Sequence, residues 1–197
     1  LLTDSAVRYV KSIVDSGELG QIRYIYSQRV NLGRIRSDVD VLWNLATHDV
    51  SIIQYWLGDS EPISISRQGM DYTKEGIDDV VFLNMVYPKN IMANIHVGQL
   101  GPHKIRKIII VGSKKMVIYD DISENKVKIH SLESPEIRKE YLNSDLSRNF
   151  AVPDIEWEEP LKIEIEHFLD CILAGSKCIT GPKHAKKVIG ILERSVN

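Results

Sequence analysis

The chain has 197 residues, 43% of them hydrophobic and 26% charged, with a formal net charge of −2. That length bounds it to one domain, or two small ones, with enough apolar material to build a core without disulfides or metals. The near-neutral charge gives no bulk electrostatic reason to bind nucleic acid or an acidic membrane, and no run of about 18 apolar residues is available to span a bilayer.

The sequence opens on Leu1 rather than Met and runs straight into a helix pattern with no basic-then-apolar leader, so it reads as a fragment of a cytoplasmic protein. From Ser5 to Ser16, Ala6, Val7, Val10, Ile13 and Val14 share one stripe, with Thr3 or Asp4 as the cap and Gly17 as the stop. A strand follows from Ile22 to about Leu32, then a polar loop from Arg34 to Asp40. The spacing next predicts a strongly apolar helix from Leu42 to Leu57, stopped by Gly58.

Pro62 opens a long β region. Strands are predicted near Ile63 to Gly69, Ile77 to Tyr87, Ile91 to Gln99, Lys104 to Val111, Met116 to Tyr119, Lys126 to His130 and Ile137 to Leu142. Breaks fall at Pro88-Lys89-Asn90, Gly101-Pro102 and Gly112-Ser113. Short links between consecutive strands imply an antiparallel meander. Asn143 to Pro153 reads as a loop. Pro160 starts a helix whose stripe is Leu161, Ile165, Phe168, Leu169, Ile172 and Leu173, ended by Gly175. A last helix begins around Gly181-Pro182 and carries Ala185, Val188, Ile189, Leu192 and Val196 on one face.

The expected fold class is therefore α+β: a mostly antiparallel open β-sheet with helices packed on one face. Several strands are apolar on both faces, Ile77 to Tyr87 and Ile108 to Val111 among them. Helices cover one face only, so the other needs either a homo-oligomeric partner or a larger internal core.

Asn44 and His48 are the sharpest chemical pair. They stand four apart on a helix whose other residues are mostly apolar. An imidazole with an ordinary pKa of about 6.5 suits proton transfer near neutrality, and a helix N-terminus favours its neutral form. The alternative is a buried histidine satisfied by Asp49 or a backbone carbonyl. Arg34 and Arg36, in the loop before this helix, and Lys104 and Arg106, on one side of a strand, form a basic set able to hold phosphate or carboxylate. They also read as ordinary solvated charges. The remaining histidines show no ligand spacing. Cys171 and Cys178 fit neither a metal pattern nor a disulfide framework, and Cys171 reads as a small core residue. No Ser-His-Asp order stands out.

The stretch Val39-Asp40-Val41-Leu42-Trp43-Asn44-Leu45-Ala46-Thr47-His48-Asp49 resembles the motif that opens the substrate domain of the Gfo/Idh/MocA oxidoreductases: two glycines, three residues, Asp, three residues, His. Val39 and Asp40 stand at the glycines, Asn44 at the Asp and His48 at the His. Relatives acting on nucleotide-linked amino sugars tolerate Asn at the Asp position. Asn31 to Asp38, Pro102 to Asp121 and Glu159 to Ile172 look like the branch near UDP-sugar 3-dehydrogenases, so the resemblance covers nearly the whole chain.

What the resemblance implies is a C-terminal substrate and oligomerisation domain, residues 1–197, of an enzyme moving a hydride between NAD or NADP and a sugar or nucleotide-sugar hydroxyl. His48 is then the proton-transfer residue, Asn44 a substrate hydrogen-bonder, and Arg34, Arg36, Lys104 and Arg106 contacts to an anionic group. In that family a Rossmann domain holds the cofactor, and a Lys from a Glu-Lys-Pro segment assists the His. This sequence has neither a Gly-x-Gly-x-x-Gly nor a Glu-Lys-Pro. The chain alone is thus expected to bind no cofactor and to be inactive. The competing reading is a non-catalytic ligand-binding or dimerisation module of the same fold.

Overall fold

A computed structural model describes residues 1–33, 36, 38–132, 150–156 and 158–196. The strand expected from Ile137 to Leu142 lies outside the described residues, as does most of the loop expected from Asn143 to Pro153. The described end of that loop adds a short bridge between Ala151 and Ile129.

Helix α1 (Ser5–Asp15) begins where Asp4 accepts the N–H groups of Ala6 and Val7, which would otherwise be unpaired in the first turn. It buries Ala6, Val7, Val10 and Ile13. Strand β1 (Ile22–Leu32) follows. A π-helical turn (Leu42–Ala46) then runs into α2 (Thr47–Trp56). The remaining strands are β2 (Ser64–Met70), β3 (Val80–Tyr87), β4 (Ile91–Gly98), β5 (Leu100–Gly112), β6 (Lys115–Asp120) and β7 (Val127–Ser131). Two helices close the chain, α3 (Pro160–Leu173) and α4 (Pro182–Val196).

Among the described residues the strands form one open sheet in the order β2-β3-β4-β1-β5-β6-β7. Two antiparallel meanders, β2-β3-β4 and β5-β6-β7, match the expected hairpins. They do not join each other. β1 lies between β4 and β5, parallel to β4 and antiparallel to β5, so the continuous meander is corrected to a mixed sheet. The parallel pair is possible because the chain leaves β1 through α2, and a helical crossover returns it in the same direction. β5 also starts earlier than expected, taking in Gly101 and Pro102. β1 breaks register between Val30 and Leu32 opposite that stretch, so the missing Pro102 N–H falls where the ladder is already irregular.

The core lies between the sheet and α1, α2 and α4. Ile25, Leu83, Met85, Ile95, Ile110 and Val117 from the sheet meet Val7, Val10, Val50, Ile53, Trp56, Ile191 and Leu192 from the helices. Trp56 donates its indole N–H to the Val7 carbonyl at 2.9 Å and meets Tyr119 edge-on. Two helical stripes turn out differently from the pattern. On α3 only Ile163 is buried, while Leu161, Ile165, Phe168, Leu169, Ile172 and Leu173 are exposed. On α4 Val188 and Leu192 are buried, but Ile189 and Val196 are exposed and His184 lies inside. Periodicity identifies an apolar face without saying that the described chain covers it.

Candidate functional site

The residues before α2 are fixed by Asp40. Its carboxylate accepts the Trp43 N–H at 3.1 Å, its carbonyl accepts that of Asn44 at 3.1 Å, and it faces Arg67 at 3.3 Å. Arg67 also pairs with Asp78, whose carbonyl accepts the Val41 N–H. The turn is thereby tied to the β2–β3 edge. The single α-helix expected from Leu42 to Leu57 is corrected here. Its first five residues form a π turn, an insertion that recurs at functional sites, and the α-helix starts at Thr47. Asn44 sits half-buried in the π turn, and His48, the second residue of α2, is exposed.

Asp49 points the opposite way. It is fully buried and accepts the Ser27 hydroxyl at 2.8 Å, Arg29 Nε at 2.7 Å and Arg29 Nη2 at 3.3 Å. Both of its oxygens are therefore engaged with β1, and His48 makes no hydrogen bond to it. The ring is held below its ordinary pKa, first by desolvation against the surrounding protein and then by the Arg29 charge. Asp49 opposes this and Arg106 adds to it. The residue is open to solvent on one side while the rest of its surroundings disfavour a positive charge. A neutral imidazole reachable from solvent can accept a proton near pH 7.

The basic residues separate. Arg106 pairs across the sheet with Arg29, which turns it to the helix-bearing side, and its charge bears on His48. It also lies 3.6 Å from Asp121. Lys104, two residues earlier in β5, is exposed. Arg36 is engaged with its neighbour Asp38 at 2.6 Å rather than held free for an anion. Arg34 lies outside the described residues.

The fold assembles polar groups that the linear pattern did not join. Ser27, Arg29 and Asp49 were legible only in part. Ile25 faces inward, so Ser27 and Arg29 must too, and an inward arginine demands a counter-charge. Ser51, His184 and Asp59 form a hydrogen-bonded row, with Ser51 Oγ 3.0 Å from His184 Nε2 and His184 Nδ1 2.7 Å from Asp59. The order resembles a hydrolytic triad, but Ser51 lies within α2, where backbone N–H groups are spent on helix bonds and none is left as an oxyanion donor. The row ties α4 to α2. On the outer face of the sheet, His96 stacks on Phe82 at 4.3 Å and meets Gln28 at 3.4 Å.

A family model described as the GFO/IDH/MocA C-terminal domain matches residues 7–118. Solved structures share the fold along nearly the whole chain. UDP-N-acetylglucosamine 3-dehydrogenase GnnA from Acidithiobacillus ferrooxidans is 18% identical with a TM-score of 0.79, over 99% of this chain and 58% of that one. An NAD binding oxidoreductase from Klebsiella pneumoniae is 12% identical, TM-score 0.79, over 99% and 61%. The aldose-aldose oxidoreductase from Caulobacter crescentus, complexed with glycerol, is 13% identical, TM-score 0.76, over 98% and 57%. The chain thus spans less than two thirds of each. No curated protein matches it by sequence.

Proposed function

The chain belongs to the GFO/IDH/MocA C-terminal domain family, and from that premise we propose that it is the substrate-side domain of a nicotinamide-dependent oxidoreductase acting on a sugar or nucleotide-sugar hydroxyl. The observation that carries the reading is His48: an exposed imidazole, kept neutral, on the residue next to a buried carboxylate that locks its helix to the sheet.

In this reading His48 accepts the proton of the reacting hydroxyl as the carbon loses hydride, and returns it in the reverse direction. Asn44, one turn earlier, holds a neighbouring hydroxyl. Arg106 and Lys104 offer positive charge on the same side of the sheet, and Arg34 and Arg36, shortly before this turn in the sequence, are proposed as further contacts to an anionic group. NAD or NADP supplies the hydride acceptor when bound. Asp4, Asp40 and Glu159 stand at the starts of α1, the π turn and α3, where they disfavour its pyrophosphate. In this reading the cofactor sits on a separate nucleotide-binding domain. Two of the structural neighbours, a UDP-N-acetylglucosamine 3-dehydrogenase and an aldose-aldose oxidoreductase, support a sugar as the substrate class.

A second copy of the chain is the expected partner on the outer sheet face, where Tyr24, Phe82, Val86 and Met92 are exposed together. No helix among the described residues is long and apolar enough to cross a membrane. The test of the catalytic reading is His48→Gln in the whole protein, assayed with a UDP-sugar and NAD(P). Turnover should fall by about 100- to 10,000-fold with binding little changed. Unchanged turnover would favour the non-catalytic module.

A further inference from the structure

Far along the sequence from His48, α3 and the loop that follows bring three soft ligand groups together. His167 and Cys171 are four apart on α3 and share a face, with His167 Nε2 3.7 Å from Cys171 Sγ. Gly175, at φ 67°, turns the chain out of the helix, and the N–H groups of Ala174 and Ser176 both close on the Asp170 carbonyl. That cap sends the loop back over the last turn and places Cys178 beside the pair. One ligand atom from each of His167, Cys171 and Cys178 lies within 4.8 Å of the other two. The linear spacing showed no such pattern because the third group arrives only through this turn.

We propose that His167, Cys171 and Cys178 form a binding site for a zinc ion, with the fourth position left to water. Zinc takes sulfur at about 2.3 Å and nitrogen at about 2.0–2.1 Å in tetrahedral geometry, which sets ligand-to-ligand separations of about 3.6–3.8 Å. The His167–Cys171 separation already has that value, and Cys178 needs only a small loop movement. The histidine is in the required state. The backbone N–H of Ile179 donates to His167 Nε2 at 3.0 Å, so that nitrogen carries a lone pair directed at the Cys178 loop. The metal would take the place of the amide proton there. Thr180 places its hydroxyl 3.5 Å from Cys178 Sγ, where it can donate to a thiolate. The site sits at the C-terminal end of α3, whose unpaired carbonyls favour a cation. Two thiolates and an imidazole select zinc over hard ions such as magnesium or calcium. Since Ile163 is the one buried side chain of α3, a metal clamp at its far end would fix a helix that packing holds weakly.

This proposal is independent of the oxidoreductase reading. The experiment uses the untagged 197-residue chain, reduced and then freed of reductant without oxygen. Zinc is titrated in competition with a chromophoric chelator, and cobalt(II) is added separately as a spectroscopic probe. One equivalent of zinc should bind, thermal unfolding should move up with it, and cobalt should give a thiolate charge-transfer band. Cys171→Ser and Cys178→Ser should each abolish the band, and His167→Ala should weaken zinc by more than about 100-fold. The site is disproved if the reduced wild-type chain takes up no zinc, if uptake survives both cysteine substitutions, or if the two thiols close to a disulfide while the reduced form binds nothing.

Discussion

Replacing Asp49 with Ala tests the polar anchor beneath the candidate site. Asp49 has no exposed surface, and the Arg29 side chain is 7% exposed. The substitution removes the acceptor of both guanidinium contacts and of the fully buried Ser27 hydroxyl. What remains is a buried cation without a counter-charge. Breaking such a pair from one side costs about 3–5 kcal/mol, and the Ser27 loss is not simply additive because it belongs to the same network. Domains of this kind have total stabilities of about 5–15 kcal/mol, so about a fifth or more is at stake. With a urea m value of about 2–3 kcal/mol/M, the midpoint should fall by about 1–2.5 M. Asp49→Asn, which still accepts from Ser27, should lose less. Equilibrium urea unfolding followed by tryptophan fluorescence measures this, since Trp56 sits on the same helix. A cost for Asp49→Ala below about 1 kcal/mol would mean that the pair is solvated and the helix is held by apolar packing alone.

Further outcomes follow from single features. Because the His48 pKa is depressed, the acidic limb of turnover in the hydroxyl-oxidation direction should lie below about pH 6.5 and vanish in His48→Gln; a limb well above that value refutes the assignment. The same depression gives stability that is present above about pH 6.5 and lost as the pH falls through the folded value, because the unfolded chain binds that proton first; comparing urea midpoints of wild type and His48→Gln across that window checks it. Gly112→Ala would bring a Cβ within 2.1 Å of the Leu19 carbonyl oxygen, and should cost about 1–3 kcal/mol in urea unfolding by forcing the α1–β1 turn off β5. Phe82→Glu on the outer sheet face should shift the species seen by light scattering toward monomer while costing the monomer only about 0.5–1.5 kcal/mol, the worth of the lost His96 stack.

Local signals marked most elements well. The Asp4 cap, the Gly58 stop and the hairpin at Pro88 to Asn90 all act at short range, and the structure uses each of them. The place of β1 was not legible, because an apolar strand of this kind can sit at an edge or in the centre with equal local pattern. Its position between β4 and β5 rests on long-range pairing that no local pattern encodes. The exposed stripe of α3 shows the same limit from the other side. At the candidate site, the Asn44–His48 spacing and its likeness to a family motif pointed to the segment that the structure builds as a π turn running into α2. The two positions where that motif has glycine were harder to interpret. The structure gives Asp40 a purpose, since its carboxylate caps the π turn and meets Arg67. The Cys171–Cys178 proximity was hidden because it depends on one left-handed residue, Gly175, rather than on spacing.

The buried pair also bears on why a proton-transfer residue can be aimed from so apolar a helix. Val50, Ile52, Ile53 and Trp56 are buried and Leu45, Tyr55 and Leu57 are partly so, so α2 presents apolar surface around much of its circumference. Apolar contact is non-directional and would tolerate several rotations of such a helix. Three hydrogen bonds converging on Asp49 from β1 do not, and they fix the rotation that turns the adjacent His48 outward. Exchanging the pair for Arg29→Met with Asp49→Leu separates the two contributions. Apolar replacement of a buried ion pair is commonly neutral or stabilising, so the double variant should recover most of the stability lost in Asp49→Ala. If the pair aims the imidazole, turnover of the whole protein should remain about tenfold or more below wild type, with the loss in kcat rather than KM. Wild-type turnover in the stable double variant would reduce Arg29 and Asp49 to a structural contact with no part in positioning His48.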